Sequence, residues 1–102
     1  MGFNVQLEDD QGEVVERLDD PRGLLYRVLP EQADSLFQYL PYIDRYGDTV
    51  FNRPQIEPFL REWDRLISNC RDLEVRRLLA EVKRLATACQ DGVHLYLRFV
   101  GE

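Results

Sequence analysis

The sequence contains no long hydrophobic run, two cysteines, one histidine and a single lysine among its 102 residues. A membrane-spanning helix needs about 20 consecutive apolar residues, and every apolar stretch here is far shorter. The first eight residues carry neither a basic start nor an apolar core, so no secretory signal peptide is predicted. Gln6 stands where a myristoylation motif has Ser or Thr. These absences favour a cytoplasmic protein.

The scarcity of cysteine and histidine also limits the chemistry. Cys70 and Cys89 lie near the ends of two predicted helices. An antiparallel helical pair would hold them roughly 27 Å apart, far beyond the ~7 Å between Cα atoms that a disulfide allows. The acids from Asp9 to Glu13 lack the spacing of a calcium loop, and no phosphate-binding glycine loop, nucleophile elbow or Cys-X-X-Cys pair occurs. We therefore predict no metal, no cofactor and no enzyme active site.

The composition is that of an ordinary globular chain, with 44% hydrophobic and 31% charged residues, and its length fits one domain spanning residues 1–102. The net charge of −6 is concentrated at the start. Residues 1–20 carry seven acids against one base, Arg17, whereas acids and bases balance in residues 21–102. This distribution disfavours nucleic acid and anionic membranes and would attract a basic protein. The alternative is that the acids only keep an exposed strand edge soluble.

Two strands and a tight turn are predicted at the start of the chain. Residues 3–8 alternate apolar and polar side chains, which indicates a half-buried strand. The turn residues Asp9-Asp10-Gln11-Gly12 follow, and residues 13–18 return as a second strand in which Val14-Val15 blurs the alternation. Residues 24–29 form either a third strand or the lead into a helix.

Helical spacing dominates the middle of the chain. Ala33, Leu36, Phe37 and Leu40 predict a short amphipathic helix that starts at Pro30 and ends before Pro41. Two long helices follow, the first capped by Asn52 with Gln55 and expected to be irregular at Pro58, the second capped by Asp72 and stopped by Asp91-Gly92. The short link between them predicts an antiparallel helical hairpin.

Residues 93–100 predict a strand, with Val93, Leu95, Leu97 and Phe99 on one face and His94, Tyr96, Arg98 and Val100 on the other. The fold class is therefore α+β: a small, mainly antiparallel sheet, made of the N-terminal hairpin and the C-terminal strand, packs against a helical hairpin and one short helix. The strand order and the oligomeric state are left open.

Two groups of residues are candidates for a binding site. Acids of the N-terminal hairpin and a tyrosine-rich loop are the predicted partner-binding surface, because tyrosine is enriched at protein interfaces. Tyrosines that cover the core are the alternative. The one histidine suggests a second possibility, a small pocket on the outer face of the last strand. The partner-binding candidates are Asp9, Asp10, Glu13, Glu16, Tyr42, Asp44, Tyr46 and Asp48, and the alternative pocket is His94, Tyr96 and Arg98.

Two stretches carry a family resemblance. Residues 46–52 (YGDTVFN), with Gln55, and residues 94–102 (HLYLRFVGE) resemble a group of small uncharacterised actinobacterial proteins over most of residues 42–102. That resemblance implies a bacterial origin and one domain, and no activity. In composition, a small acidic α+β chain also resembles the immunity proteins of bacterial toxin systems.

The function that these features favour is a protein-interaction module, an immunity or inhibitor protein that neutralises a basic partner such as a toxin. The alternatives are a small-ligand-binding protein or enzyme with a pocket near His94, and a homodimeric structural protein. The first reading gives a basic protein as partner, no nucleic acid and no membrane, with the chain itself a monomer or a weak homodimer.

Overall fold

The computed structural model describes residues 2–31 and 36–101, and its elements confirm the α+β class. One four-stranded antiparallel sheet has the strand order β2-β1-β4-β3. The N-terminal hairpin and the C-terminal strand predicted from the sequence are both in it, and β4 lies at its centre between β1 and β3. The strands are β1 (Phe3–Asp9), β2 (Val14–Asp20), β3 (Asp48–Phe51) and β4 (Leu95–Val100), and the helices are α1 (Leu24–Val28), α2 (Arg53–Asn69) and α3 (Leu73–Asp91).

The blurred alternation at Val14-Val15 is a β-bulge. Leu7 stands opposite Glu16 and Glu8 stands opposite Val14, so Val15 is an extra residue on the edge strand β2. A bulge bends an edge strand and interrupts its pairing surface. The other edge, β3, has only four residues. Both edges are therefore poor templates for adding a strand from another molecule.

Helices α2 and α3 form the predicted antiparallel hairpin. The Arg53 side chain at the start of α2 donates to the carbonyl of Gln90 near the end of α3, and the Trp63 indole donates to the carbonyl of Leu79 at 2.8 Å. Asn52 and Gln55 form a capping box, and Asp72 caps α3. Pro58 lies inside α2 and does not end it, since the α-helix runs from Arg53 to Asn69.

The core lies between the sheet and the helical hairpin, and α3 packs across β1, β2 and β4. An aromatic cluster fills its centre: Trp63 and Phe59 stack with ring centroids 5.2 Å apart, and both contact Phe99 of β4. The other face of the sheet points to solvent, as shown by the exposed residues Arg17, Asp19, Asp48 and Val50. No helix in the described part of the chain is long and apolar enough to cross a membrane.

The one short α-helix in the described residues precedes the segment predicted to form it. Residues 24–28 are helical, which settles the ambiguity of that run, whereas residues 36–39 are not; Ala33 and the rest of 32–35 lie outside the described residues. The physical reason is Glu62, whose carboxylate accepts the backbone N–H groups of Gln38, Tyr39 and Leu40. Those donors are then unavailable to a helix, and a 3₁₀ turn, Leu40–Tyr42, follows instead.

The predicted last strand also begins too early. β4 starts at Leu95, and Val93 is 68% exposed. His94 has a φ of 57°, in the left-handed region that a strand residue does not occupy. His94 therefore lies in the turn between α3 and β4, and it does not belong to the alternating residues of the strand.

Candidate functional site

The tip of the N-terminal hairpin presents two free carboxylates. Asp9 is not one of them, because its Oδ1 accepts the backbone N–H groups of Gln11 and Glu13, both at 2.9 Å, and thereby shapes the turn. Asp10 and Glu13 are exposed, and neither side chain forms an ion pair with another described residue. We call Asp10 and Glu13, with the turn residues 9–13 that carry them, the hairpin tip.

Glu16 lies apart from the hairpin tip, on the side of the sheet that carries the helices. Its carboxylate accepts a hydrogen bond from Arg84 of α3, and that bond lowers the pKa of Glu16. Glu16 therefore ties the edge strand to the helical layer. Of the four acids predicted for the hairpin, two are free for a partner.

The tyrosine loop, residues 42–47, lies at the opposite end of the sheet. Asp9 pairs with the first residue of β4, Leu95, whereas the backbone N–H of Gly101, just beyond β4, donates to Gly47 at 2.8 Å. The six residues of β4 separate these two places by roughly 17–20 Å, at about 3.3 Å per residue. The structure thus does not join the predicted acidic and tyrosine-rich groups into one patch.

Within the loop, the two tyrosines are the most exposed aromatic side chains: Tyr42 is 68% exposed and Tyr46 is 81% exposed. They line a groove of about 580 Å³. Asp44 uses its Oδ1 to accept the backbone N–H of Tyr46 at 2.8 Å. The alternative that these rings cover the core is thereby wrong for Tyr42 and Tyr46.

Asp48 and Arg98 belong to an ion-pair network on the outer face of the sheet. The Nε atom of Arg98 lies 3.0 Å from both carboxylate oxygens of Glu8, and its Nη1 donates to Asp48 at 2.9 Å. The Glu8 side chain is 9% exposed. These carboxylates, Glu8 above all, raise the pKa of the Arg98 guanidinium. The network links three neighbouring strands, β1, β4 and β3.

The pocket proposed for the last strand does not assemble as the alternation suggested. His94 and Tyr96 line a groove of about 340 Å³ together with Asn52, Arg53 and Pro54, and Arg98 is not part of it. The left-handed backbone at His94 turns it out of the register of β4. No carboxylate in the described residues is hydrogen-bonded to the imidazole, so the structure shows no His–carboxylate pair there.

Cysteine and metal chemistry have no assembled site in the described residues. Cys70 and Cys89 are both free thiols. Cys89 is buried, and this burial raises its pKa to about 11, which disfavours the reactive thiolate. No group of three His, Cys, Asp or Glu side chains among residues 2–31 and 36–101 is placed to hold a metal ion.

Sequence reasoning overlooked the buried carboxylate Glu62. A signal was available, because Glu62 falls between Phe59 and Leu66 on the buried stripe of α2. A carboxylate at such a position requires partners, and its partners are the backbone N–H groups that lead into the tyrosine loop.

Comparison with known proteins gives no relative for this arrangement: no protein-family model, no curated protein and no solved structure significantly matches the chain.

Proposed function

We propose that this protein is a protein-interaction module of the immunity or inhibitor type, which binds and neutralises a basic partner such as a bacterial toxin in the cytoplasm. The observation that carries the proposal is the hairpin tip, where Asp10 and Glu13 are exposed and unpaired within the described structure. They lie in the twenty residues that hold seven acids and one base. The proposal gives the protein no catalytic role.

The position of the tip suits electrostatic capture. It is the turn between β1 and β2, and its residues 10–13 are exposed. A local excess of one charge attracts an oppositely charged partner and raises the association rate by about 10- to 1,000-fold at low salt. Other acids contribute less to this attraction, because Glu8, Glu16 and Asp48 are already paired with arginines.

The test compares two variants of equal net charge. Asp10→Lys with Glu13→Lys reverses the hairpin tip. Glu57→Lys with Asp64→Lys makes the same change in charge on the exposed face of α2, where the original ion pairs are solvent-exposed and contribute little, about 0–1 kcal/mol each. Tagged wild-type protein and both variants are used to capture proteins from a lysate of the source organism, with washes of rising salt and identification by mass spectrometry.

We expect the wild type and the α2 control to retain one basic protein that elutes as salt rises, and the tip variant to lose it. With the captured protein purified, the association rate at low salt falls at least about tenfold for the tip variant, and its toxic or enzymatic activity is suppressed by the wild type. Equal capture by both variants, or a captured protein that is acidic, contradicts the proposal.

A further inference from the structure

Two aromatic rings of the tyrosine loop face solvent and are not packed in the core. Tyr42 and Tyr46 are exposed, whereas the intervening Ile43 and the preceding Pro41 are buried and anchor the loop. Two largely exposed rings within five residues form a concentrated aromatic surface. Such surfaces are typical of binding sites, because a tyrosine offers a large contact area with few rotatable bonds.

The loop backbone is held at several points. The backbone N–H of Asp44 donates to Thr49 Oγ1 at 2.8 Å, and the Tyr26 hydroxyl donates to the carbonyl of Arg45 at 2.8 Å. A further bond joins the N–H of Gly101 to Gly47. Gly101 is required there, because a Cβ on this residue would lie 2.4 Å from the carbonyl of Arg45. The tyrosines are thus presented on a pre-organised backbone, which lowers the entropy lost on binding.

The groove beside the rings has acidic character. Its walls include Pro30, Glu31, Pro41 and Asp44 as well as the two tyrosines. Arg45, the one base among the described residues of the wall, donates from its Nη2 to the carbonyl of Leu29 at 3.0 Å. The carboxylates of Glu31 and Asp44 are exposed and form no ion pair with another described residue. A ligand in this groove meets aromatic faces, proline rings and negative charge.

We propose that this groove binds an arginine side chain from an extended basic segment of the partner. A planar guanidinium stacks on the face of a tyrosine ring and pairs with carboxylates, and its apolar stem packs on proline. An ammonium group shares the charge but lacks the planar face. The inference rests on the proposed function, since it names the chemistry by which the basic partner is held, and it adds a second contact 17–20 Å or so from the hairpin tip.

The test uses a defined peptide as probe. An eight-residue, end-blocked peptide of alternating glycine and arginine is titrated into ¹⁵N-labelled protein, and amide shifts and the dissociation constant are measured by NMR. The same peptide with lysine, and with the neutral isostere citrulline, provides the chemical controls. We expect shifts in residues 42–47, binding about threefold or more weaker for the lysine peptide, and no binding of the citrulline peptide.

Variants then locate the contact. Tyr42→Ala with Tyr46→Ala weakens binding of the arginine peptide about tenfold, whereas Tyr42→Phe with Tyr46→Phe, which keeps both rings, stays within about twofold. Tyr96→Ala, a tyrosine outside the groove, serves as the matched control and leaves binding unchanged. Circular dichroism checks that each variant is folded, which we expect because Tyr42 and Tyr46 are exposed and Tyr96 is only partly buried.

Three outcomes overturn the inference. Shifts confined to residues 9–13 assign the basic ligand to the hairpin tip and leave the proposed function intact. Arginine-peptide binding that survives loss of both rings, or the absence of peptide binding, refutes the arginine groove. Capture of a basic protein through the hairpin tip decides the proposed function separately.

Discussion

At the scale of single residues, three carboxylates in the described part of the chain are buried: Glu8, Asp20 and Glu62. Glu8 pairs with the Arg98 side chain, whereas Asp20 and Glu62 accept backbone N–H groups. Asp20 accepts the N–H groups of Leu24 and Leu25 at 2.9 Å and so fixes the start of α1. A buried carboxylate needs partners such as these because desolvation without them is costly. Sequence patterns assign acids to the surface by default, and therefore they predicted neither the burial of these residues nor their role.

Glu62 provides the sharpest prediction at this scale. Its two oxygens accept three backbone N–H groups between 2.7 and 3.1 Å. Glu62→Gln replaces one accepting oxygen by an NH₂ group that faces donors, so we expect a loss of about 2–3 kcal/mol in the free energy of unfolding. Urea denaturation followed by circular dichroism measures it. Glu57→Gln, an exposed position on the same helix, is the control and should change stability by less than about 0.5 kcal/mol; equal effects at both positions would refute this role for Glu62.

At the scale of elements, the long helices could be predicted because their apolar stripes, caps and stop residues all agree. Leu79, Val82 and Leu85 are fully buried on α3 as the spacing requires. The failures have tertiary causes. Residues 36–39 have helical spacing, but the backbone N–H groups of Gln38 and Tyr39 donate to the Glu62 carboxylate. His94 fits the alternation of a strand, yet it lies in the turn that carries the chain from α3 to β4.

The N-terminal hairpin and the last strand of the sheet could be predicted from the sequence, but the strand order could not. The alternating side chains of residues 3–8 and 95–100 mark strands, but nothing in the sequence says that β4 lies between β1 and β3. Pairing of distant strands depends on the whole core. The candidate site shows the same limit, since the hairpin tip and the tyrosine loop were found as residue groups while their separation was not.

The ion-pair network on the outer face of the sheet gives a prediction at the scale of elements. Arg98→Met leaves the buried carboxylate of Glu8 without its cation, so we expect a loss of about 2–3 kcal/mol in the free energy of unfolding, near the low end for a broken buried pair because Arg98 is 32% exposed. Chemical denaturation measures it. Glu8→Gln in the Arg98→Met background should recover part of the loss.

Arg17→Met is the matched control for that network. Arg17 also lies on the outer face, but its ion pair with Asp19 is about half exposed on both sides, so the expected loss is below about 1 kcal/mol. If Arg98→Met costs no more than Arg17→Met, the network does not hold the strands together.

At the scale of the whole molecule, exposed arginines and the acidic hairpin tip lie at opposite ends. Arg71, Arg76 and Arg77 are exposed near the α2–α3 turn, without an ion pair to another described residue. They lie at the end where Arg22 pairs with Glu74, opposite the hairpin tip. The tyrosine loop lies towards that same end, so its contact with a basic segment depends on local carboxylates and stacking. Under the proposed function, we expect the hairpin tip to act mainly on the association rate and the tyrosine loop mainly on dissociation.

This arrangement predicts behaviour that needs no partner. The tip variant, Asp10→Lys with Glu13→Lys, and the α2 variant, Glu57→Lys with Asp64→Lys, each have a formal net charge of −2 instead of −6, since every acid-to-lysine change adds two charges. A charged surface adsorbs a protein through its most oppositely charged patch rather than through its mean charge. On an anion exchanger at pH 7, we expect the α2 variant to elute close to the wild type and the tip variant to elute at clearly lower salt. Elution of both variants at the same salt would mean that the acids act only as net charge, and the steering assigned to the hairpin tip would lose its basis.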